Sequence, residues 1–301
     1  MKSPGANALR ICLLGFGEVG QTLGGDLRGR TGRLAAWDLK FADAASAPSR
    51  AAPPLDVLAA RDAKTAVADA DVVISAVTAA QTVEAARSVA AHVSRGTYFF
   101  DLNSTSPAAK REAAAVIDSA GARFVEAAIM SPIAPRGATS PMLLGGAHAA
   151  DFLPLASGLG FTGAQVFSEK LGAASAAKMC RSVVVKGLEA LMLESLLTAR
   201  TFGVEAAVLE SLRSLLVDDW RKSGRYMMSR ALTHGRRRAE EMREAVRTVT
   251  EAGFAPRMSV ACAEWQDWAA AHGALADEPL EQMLDALLAA QHALVPRDAP
   301  C

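Results

Sequence analysis

Short apolar runs alternate with amphipathic stretches along the first part of the chain. The apolar runs are rich in Val, Ile, Leu and Phe, and they are LRICLLG, RLAAWDL, DVVISAV, TYFFDLN, RFVEAAIM, PMLLGG and AQVFSEK, beginning at residues 9, 33, 71, 97, 123, 141 and 164. Runs of this length and composition are typical of buried strands. Between them lie amphipathic helical stretches such as AQTVEAARSVAAHV (80–93) and SPAAKREAAAVIDSAG (106–121). The alternation predicts βα units that form a parallel sheet.

Two local signals add detail to this pattern. Ser106 stands where a helix N-cap is expected, and Pro107 follows at the first helical position. The segment FADAASAPSRAAPP (41–54) is rich in Ala, Ser and Pro, and its composition predicts a surface loop.

After about residue 170 the strand pattern ends, and a helical pattern continues almost to the C-terminus. Gly203 is predicted to end the first of these helices. The predicted helices cover approximately 172–202, 205–217, 224–253, 258–272 and 278–293. The chain is therefore expected to combine an α/β part with an all-α part.

A glycine-rich sequence, GFGEVG, directly follows the first predicted strand and begins a helix. Glycines in this context let the backbone approach a pyrophosphate at a helix N-terminus, although a glycine-rich turn without a ligand is the alternative. The prediction is a Rossmann-type dinucleotide-binding domain at 1–169, followed by an all-helical substrate and dimerisation domain at 170–301. The residues expected to bind the cofactor are Gly15, Phe16, Gly17, Glu18, Val19, Gly20, Asp38, Val77 and Thr78, to which the family resemblance described below adds Ser104.

Asp38 bears on the choice of cofactor, because it ends the second predicted strand. A carboxylate there binds the free ribose diol of NAD and repels the 2′-phosphate of NADP, so NAD is favoured. Lys40, two positions later, would offset this repulsion and leaves NADP open. The alternative for Asp38 is a turn residue.

Four segments, in this order, resemble the β-hydroxyacid dehydrogenase superfamily, which includes 3-hydroxyisobutyrate, tartronate semialdehyde and 6-phosphogluconate dehydrogenases and, more distantly, imine reductases. They are GFGEVG, DLNSTSP (101–107), EAAIMSPI (126–133) followed by PMLLGG, and GAASAAK (172–178). The resemblance implies an NAD(P)-dependent oxidoreductase that transfers a hydride between a nicotinamide and a small hydroxy acid or a related alcohol or carbonyl compound. Alternatives are an imine or ketone reductase of the same fold and a nucleotide-binding protein without catalysis.

The resemblance also implies which residues contact the substrate. Ser104 and Thr105 in DLNSTSP would lie beside the nicotinamide and the substrate, and their alternative role is to cap the following helix. Met130 and Ser131 stand in the family's substrate loop, but Pro132 lacks the backbone N–H that this loop normally offers to a substrate carboxylate. This departure leaves open a substrate other than a simple hydroxy acid.

Lys178 interrupts a run of small and branched apolar residues, GAASAAKMCRSVVVKG. A lysine is almost never fully buried without a partner, so packing alone does not explain it. The resemblance implies that Lys178 is the catalytic lysine, which exchanges a proton with the substrate oxygen. Ser182 replaces the family's asparagine about 40° round the helix and is the second candidate catalytic and substrate-binding residue. Lys186 is expected to be a surface or supporting group.

The helical part offers weaker candidates. His234 precedes three arginines and acidic residues at spacings that favour pairs on a solvated face. The resemblance implies that a basic residue of this region, His234 or a neighbouring arginine, reaches the substrate. Trp265 and Trp268, one turn apart, are predicted to fill a core or a subunit contact rather than to stack on a ligand.

Composition and charge limit the partners. The chain has 32 Lys and Arg residues and 32 Asp and Glu residues, so its formal net charge is zero. No overall positive field therefore favours the binding of nucleic acid. The four cysteines show no spacing typical of a zinc site, and no metal is expected. No signal peptide or membrane span is recognised, which predicts a cytoplasmic protein. Apolar residues on several faces of the later helices, together with the resemblance, predict a homodimer.

Overall fold

The chain divides into two compact units, Met1–Val183 and Val184–Cys301. This computed structural model describes residues 9–182, 188, 198–199, 201–212, 220–251 and 253–294. None of the helices in these ranges is long and apolar enough to cross a membrane.

The first unit is built on one sheet of eight strands with the order β3-β2-β1-β4-β5-β6-β7-β8. The strands are β1 Arg10–Leu14, β2 Arg33–Trp37, β3 Leu58–Ala59, β4 Val72–Ser75, β5 Tyr98–Asp101, β6 Arg123–Ile129, β7 Met142–Gly145 and β8 Ala164–Ser168. Each predicted strand is present. Only β3, which has two residues, gave no signal in the sequence.

The expectation of a parallel sheet is wrong for one strand pair. β7 runs antiparallel to β6, with Glu126 opposite Gly145, whereas all other neighbouring strands are parallel. The cause is the short connection between Ile129 and Met142, which contains a 3-10 turn but no crossover helix, and a parallel pair needs such a crossover. An antiparallel strand on an otherwise parallel sheet is common in α/β folds.

Helices cover both faces of this sheet. They are α1 Glu18–Leu27, α2 Ala47–Ala51, α3 Ala63–Val67, α4 Thr82–Ala90, α5 Pro107–Ser119 and α6 Ala149–Gly158, with 3-10 turns at Leu39–Ala42, Pro53–Leu55, Ala79–Gln81 and Gly137–Thr139. The central strands are buried on both faces, which produces two separate apolar clusters, one on each side. Ser106 is the N-cap of α5, as predicted, and its hydroxyl accepts a hydrogen bond from the Ala109 N–H.

The prediction of a surface loop at 41–54 is wrong in part. The helix α2 lies within it, because the Ser46 side chain accepts a hydrogen bond from the Ser49 N–H and Pro48 lies in the first turn. The capping signal therefore outweighs the composition of the segment.

The described residues of the second unit form helices joined by turns and short irregular segments, as predicted. Its helices are α8 Glu205–Leu212, α9 Trp220–Glu251, α10 Arg257–Ala270 and α11 Leu280–Leu294, with a 3-10 turn at Gly273–Leu275. The helix predicted at 172–202 is described at 173–182, here called α7, and at single positions up to 201. Gly203, with φ +68°, follows it in the left-handed conformation that often ends helices.

The helices α9 and α10 cross closely at Gly235. A Cβ atom there would lie 2.3 Å from the Gln266 carbonyl oxygen and 2.9 Å from the Ala270 Cβ. We expect Gly235→Ala to lower the free energy of unfolding by about 1–3 kcal/mol, the usual cost of overpacking. Gly224→Ala is the matched control on the same helix, because nothing lies within 4 Å of its added Cβ. It should stabilise the protein by about 0.5–1 kcal/mol. Urea unfolding of both variants measures this, and equal stabilities would contradict the close crossing.

Candidate functional site

The glycine-rich turn lies between β1 and α1 at the carboxyl edge of the sheet. Gly15 has φ +92°, and its N–H donates to the Trp37 carbonyl at 2.9 Å, which ties the turn to the end of β2. A Cβ on Gly15 would lie 2.5 Å from the Ala76 carbonyl oxygen, and one on Gly20 would lie 2.3 Å from the Gly15 carbonyl oxygen. Gly17 differs, because its Cβ would meet nothing within 4 Å. The turn is therefore tightly packed against the protein at Gly15 and Gly20, whereas Gly17 faces open space.

The Asp38 carboxylate fixes this turn from the end of β2. One of its oxygens accepts a hydrogen bond from the Phe16 N–H at 2.8 Å, and the other accepts from the Lys40 N–H at 2.9 Å. The Phe16 side chain is fully buried against the core, so rotation of Asp38 away from the turn would leave a buried N–H without this acceptor. Asp38 is thus both the N-cap of a 3-10 turn and a fixed negative charge beside the glycines.

A cleft of about 390 Å³ opens above these groups. Its walls combine the predicted Gly15, Gly17, Asp38, Val77 and Thr78 with apolar side chains that the sequence analysis did not single out. The lining residues are Leu14, Gly15, Gly17, Trp37, Asp38, Leu39, Lys40, Pro48, Ala76, Val77, Thr78, Gln81, Glu84, Ala85 and Ser88. An apolar slot with a carboxylate and the N-terminus of α1 at one end has the chemistry that holds an adenosine and its phosphates.

The other predicted cofactor residues occupy different places around the turn. Glu18 is exposed in the first turn of α1, Val19 packs against the core, and Gly20 is buried under the turn. Ser104 is exposed in the loop after β5. It shares the carboxyl edge of the sheet with the cleft but does not belong to its walls.

Asn103 was missed in the sequence analysis, although it lies inside the DLNSTSP segment. It is buried, its side-chain oxygen accepts the Val77 N–H at 2.7 Å, and its amide donates to the Ser75 hydroxyl at 2.8 Å. The side chain therefore joins the ends of β4 and β5 and shapes the Val77 wall of the cleft. Only its place at the end of a predicted strand hinted at this role.

A buried ion pair lies beneath the same loop. The Lys110 ammonium lies 3.1 Å from an Asp101 carboxylate oxygen, and both side chains are almost fully buried. Lys110 also donates to the Asp101 carbonyl at 2.9 Å, and the other Asp101 oxygen accepts the Asn103 N–H at 3.0 Å. Burial raises the pKa of the Asp101 carboxyl, and the ammonium of Lys110 opposes that rise. The pair anchors α5 under the loop that carries Ser104 and Thr105.

The loop after β6 carries Met130 and Ser131, both half-buried. The Met130 N–H donates to the Pro141 carbonyl at 2.8 Å, and the Ser131 hydroxyl donates to the Pro132 carbonyl at 3.0 Å. Two groups that could face a ligand are thus bonded within the loop, and Pro132 has no N–H to offer.

The helix α7 is anchored to the sheet by its first turn. Glu126 on β6 accepts hydrogen bonds from the Gly172 and Ser175 N–H groups, and the Ser175 hydroxyl donates to the Thr105 carbonyl at 2.7 Å. Lys178 and Ser182 follow on this helix, and both are half-buried. The structure therefore brings α7 to the carboxyl edge that holds the glycine-rich turn and the DLNSTSP loop.

The remaining candidates lie in or near the helical unit. His234 is exposed on α9, and its role in substrate binding stays a prediction. Lys186 lies outside the described residues. Trp265 meets Trp268 edge-on at 5.4 Å but is 59% exposed, so it does not fill a core within this unit, and its predicted place in a subunit contact stays a prediction. Trp268 packs against the local apolar cluster.

Comparison with known families gives two matches along the chain. The model described as the NAD binding domain of 6-phosphogluconate dehydrogenase matches residues 10–168. A model described as a domain of unknown function, DUF1932, matches residues 199–269.

Solved structures extend the likeness over most of the chain. A conserved hypothetical protein from Sinorhizobium meliloti 1021 is 38% identical with a TM-score of 0.57, over 92% of this chain and 93% of that one. The conserved protein MTH1747, of unknown function and described as structurally similar to 3-hydroxyacid dehydrogenases, is 31% identical with a TM-score of 0.57, over 88% and 99%. An imine reductase from Myxococcus stipitatus in complex with NADP+ is 18% identical with a TM-score of 0.69, over 88% and 96%, and this likeness concerns the fold alone.

Proposed function

The chain belongs to the family defined by the NAD binding domain of 6-phosphogluconate dehydrogenase, and on this basis we propose that it is an NAD-dependent oxidoreductase acting on a small hydroxy acid or a related alcohol or carbonyl compound. One observation carries the proposal. The glycine-rich cleft and the anchored helix of Lys178 meet the same carboxyl edge of the sheet, which is where open α/β sheets bind ligands.

The chemistry divides between the cofactor and this chain. A bound nicotinamide supplies the hydride acceptor, or the donor in the reverse direction. In the oxidation of an alcohol, a neutral Lys178 amine takes the proton of the substrate hydroxyl, and in the reduction its ammonium returns that proton. The Ser182 hydroxyl, one turn further along α7, can donate a hydrogen bond to the same substrate oxygen.

A second candidate is the reduction of an imine or a ketone. It is favoured by the loop after β6, where the Met130 N–H is bonded to Pro141 and Pro132 has no N–H, because a substrate carboxylate would find few donors there. A panel of hydroxy acids, polyols, ketones and cyclic imines, assayed with NAD, NADP and their reduced forms, distinguishes the two. Turnover of cyclic imines without turnover of any hydroxy acid would replace the first proposal by the second.

We propose NAD rather than NADP because the Asp38 carboxylate is held in place by two N–H donors and cannot turn away from a 2′-phosphate without losing both. Asp38→Asn removes the charge and keeps one oxygen for the Phe16 N–H. We expect it to raise the ratio of kcat/KM with NADP to that with NAD at least about tenfold, since juxtaposed like charges cost several kcal/mol. Asp43→Asn, an exposed carboxylate nearby, is the control and should leave the ratio unchanged. A wild-type protein that prefers NADP would overturn the proposal.

We also propose a homodimer. Several large apolar side chains of the helical unit are exposed within the chain, which is typical of association surfaces. They include Leu209, Tyr226, Trp265, Leu284 and Leu288. Sedimentation at micromolar concentration tests the proposal, and an active monomer would contradict it.

A further inference from the structure

We infer that Glu126 is a positioning residue, which holds the helix of Lys178 in register with the carboxyl edge of the sheet. The inference rests on the proposed function, because it takes Lys178 as the group that transfers the proton. Glu126 itself is fully buried on β6 and is not exposed to any ligand.

The strand pair β6–β7 is shaped around this carboxylate. Glu126 lies opposite Gly145 in the antiparallel register, and a Cβ on Gly145 would lie 2.8 Å from a Glu126 carboxylate oxygen. Any larger residue at 145 would push the carboxylate out of its place. Because Gly145 has no side chain, the Glu126 carboxylate occupies the space beside it on β7.

Both oxygens of Glu126 point at the start of α7. One accepts the Gly172 N–H, and the other accepts the Ser175 N–H. These N–H groups have no partner within the helix, because the first turn of an α-helix leaves its donors unsatisfied. A negative charge at that end is also favoured by the helix dipole. The carboxylate thus replaces an ordinary N-cap, but it comes from the sheet instead of the preceding loop.

A second contact fixes the rotation of the helix. The Ser175 hydroxyl donates to the Thr105 carbonyl at 2.7 Å, and both residues are buried. Lys178 follows Ser175 by three positions, so the two side chains lie on nearly the same face one turn apart. A shift of the first turn by an ångström would carry Lys178 with it, and a misplacement of that size can cost about 10²-fold in rate.

The test compares Glu126→Gln with a matched control, Thr97→Val. Glutamine keeps the shape but sets its NH2 group against one of the two N–H donors. Thr97 is also buried and donates to the Ala70 carbonyl at 2.8 Å, but at the opposite edge of the sheet. We expect Glu126→Gln to lower kcat by roughly 10–100-fold while the Kd for NAD changes less than about twofold. Thr97→Val should leave kcat unchanged, although both variants lose stability.

A double-mutant cycle separates positioning from a general loss of structure. In the Lys178→Ala background, Glu126→Gln should change the residual rate less than about twofold, because an effect that acts through Lys178 has nothing left to act on. Equal effects in both backgrounds would overturn the inference. If Lys178→Ala is fully active, the proposed role of the lysine fails instead, so the two failures are distinguishable.

A measurement without substrate completes the test. Hydrogen exchange of peptides covering 173–182 should accelerate at least about fivefold in Glu126→Gln, as expected when a buried hydrogen bond is lost, and should not change in Thr97→Val. Ser175→Ala is the replacement variant if Glu126→Gln does not fold. It removes the hydrogen bond to the Thr105 carbonyl, and alanine is well tolerated in a helix. Unchanged exchange in the Glu126 and Ser175 variants would overturn the inference.

Discussion

The Lys178→Ala variant is expected to turn over its substrate roughly 10² to 10⁴ times more slowly than the wild-type protein, the range that loss of a general acid or base produces. The reason is that no amine then remains on the first turns of α7 to exchange a proton with the substrate oxygen. The affinity for NAD should be nearly unchanged, because Lys178 does not belong to the walls of the cleft. Steady-state rates and NAD binding measured on the same preparation check both statements.

The control for this variant is Lys170→Ala. Lys170 is an exposed lysine just before α7, so its loss removes the same charge from the same region without touching the helix. Its turnover should match the wild-type value. Full activity of Lys178→Ala would refute the catalytic role of the lysine, and an equal loss in both variants would point to charge rather than to proton transfer.

Gly17→Ala should fold normally and bind NAD about 5- to 150-fold more weakly, the equivalent of 1–3 kcal/mol of steric cost. The protein itself leaves open space where the new Cβ would stand, and Gly17 has φ −77° in extended backbone, outside the left-handed region that favours glycine. The methyl group therefore meets only what enters the cleft. Calorimetric titration with NAD, together with an unfolding curve, measures the two effects separately.

Gly20→Ala provides the comparison for that variant. Its Cβ would overlap the Gly15 carbonyl oxygen at 2.3 Å, so the turn itself must move and stability should fall. A loss of stability in Gly17→Ala, or wild-type NAD affinity in it, would show that the cleft above this turn does not hold the dinucleotide.

Periodicity predicted most of the fold because each apolar run of the first unit becomes a strand, and all of these strands except the exposed edge strand β8 are largely buried. The direction of β7 was not predictable in the same way, since it depends on the length and path of one connection rather than on the strand's own residues. The helix α2 was missed for a different reason. Its cap, Ser46, was present in the sequence, but the Ala- and Pro-rich composition was given more weight.

The candidate site was predicted where a local motif carries the chemistry. Gly15, Gly17 and Asp38 follow from spacing and strand context, and all three line the cleft. Glu126 and Asn103 act through backbone groups far away in the sequence, so no local pattern could reveal their partners. In the sequence, Glu126 stood out only as the first residue of the segment EAAIMSPI.

The central place of β1 in the sheet has a consequence for the order in which the chain folds. β1 precedes the other strands of the sheet in the sequence, and its two neighbours are β2 and β4, with Ile11 paired to Leu34 on one side and to Val72 on the other. Long-range parallel pairing of this kind is slow, because the intervening chain loses conformational entropy before any stabilising contact between the strands forms. In a nascent chain, β1 and the glycine-rich turn that follows it therefore lack one of their two neighbouring strands until β4 has left the ribosome. During that interval the apolar β1 is exposed to chaperones that bind unpaired strands.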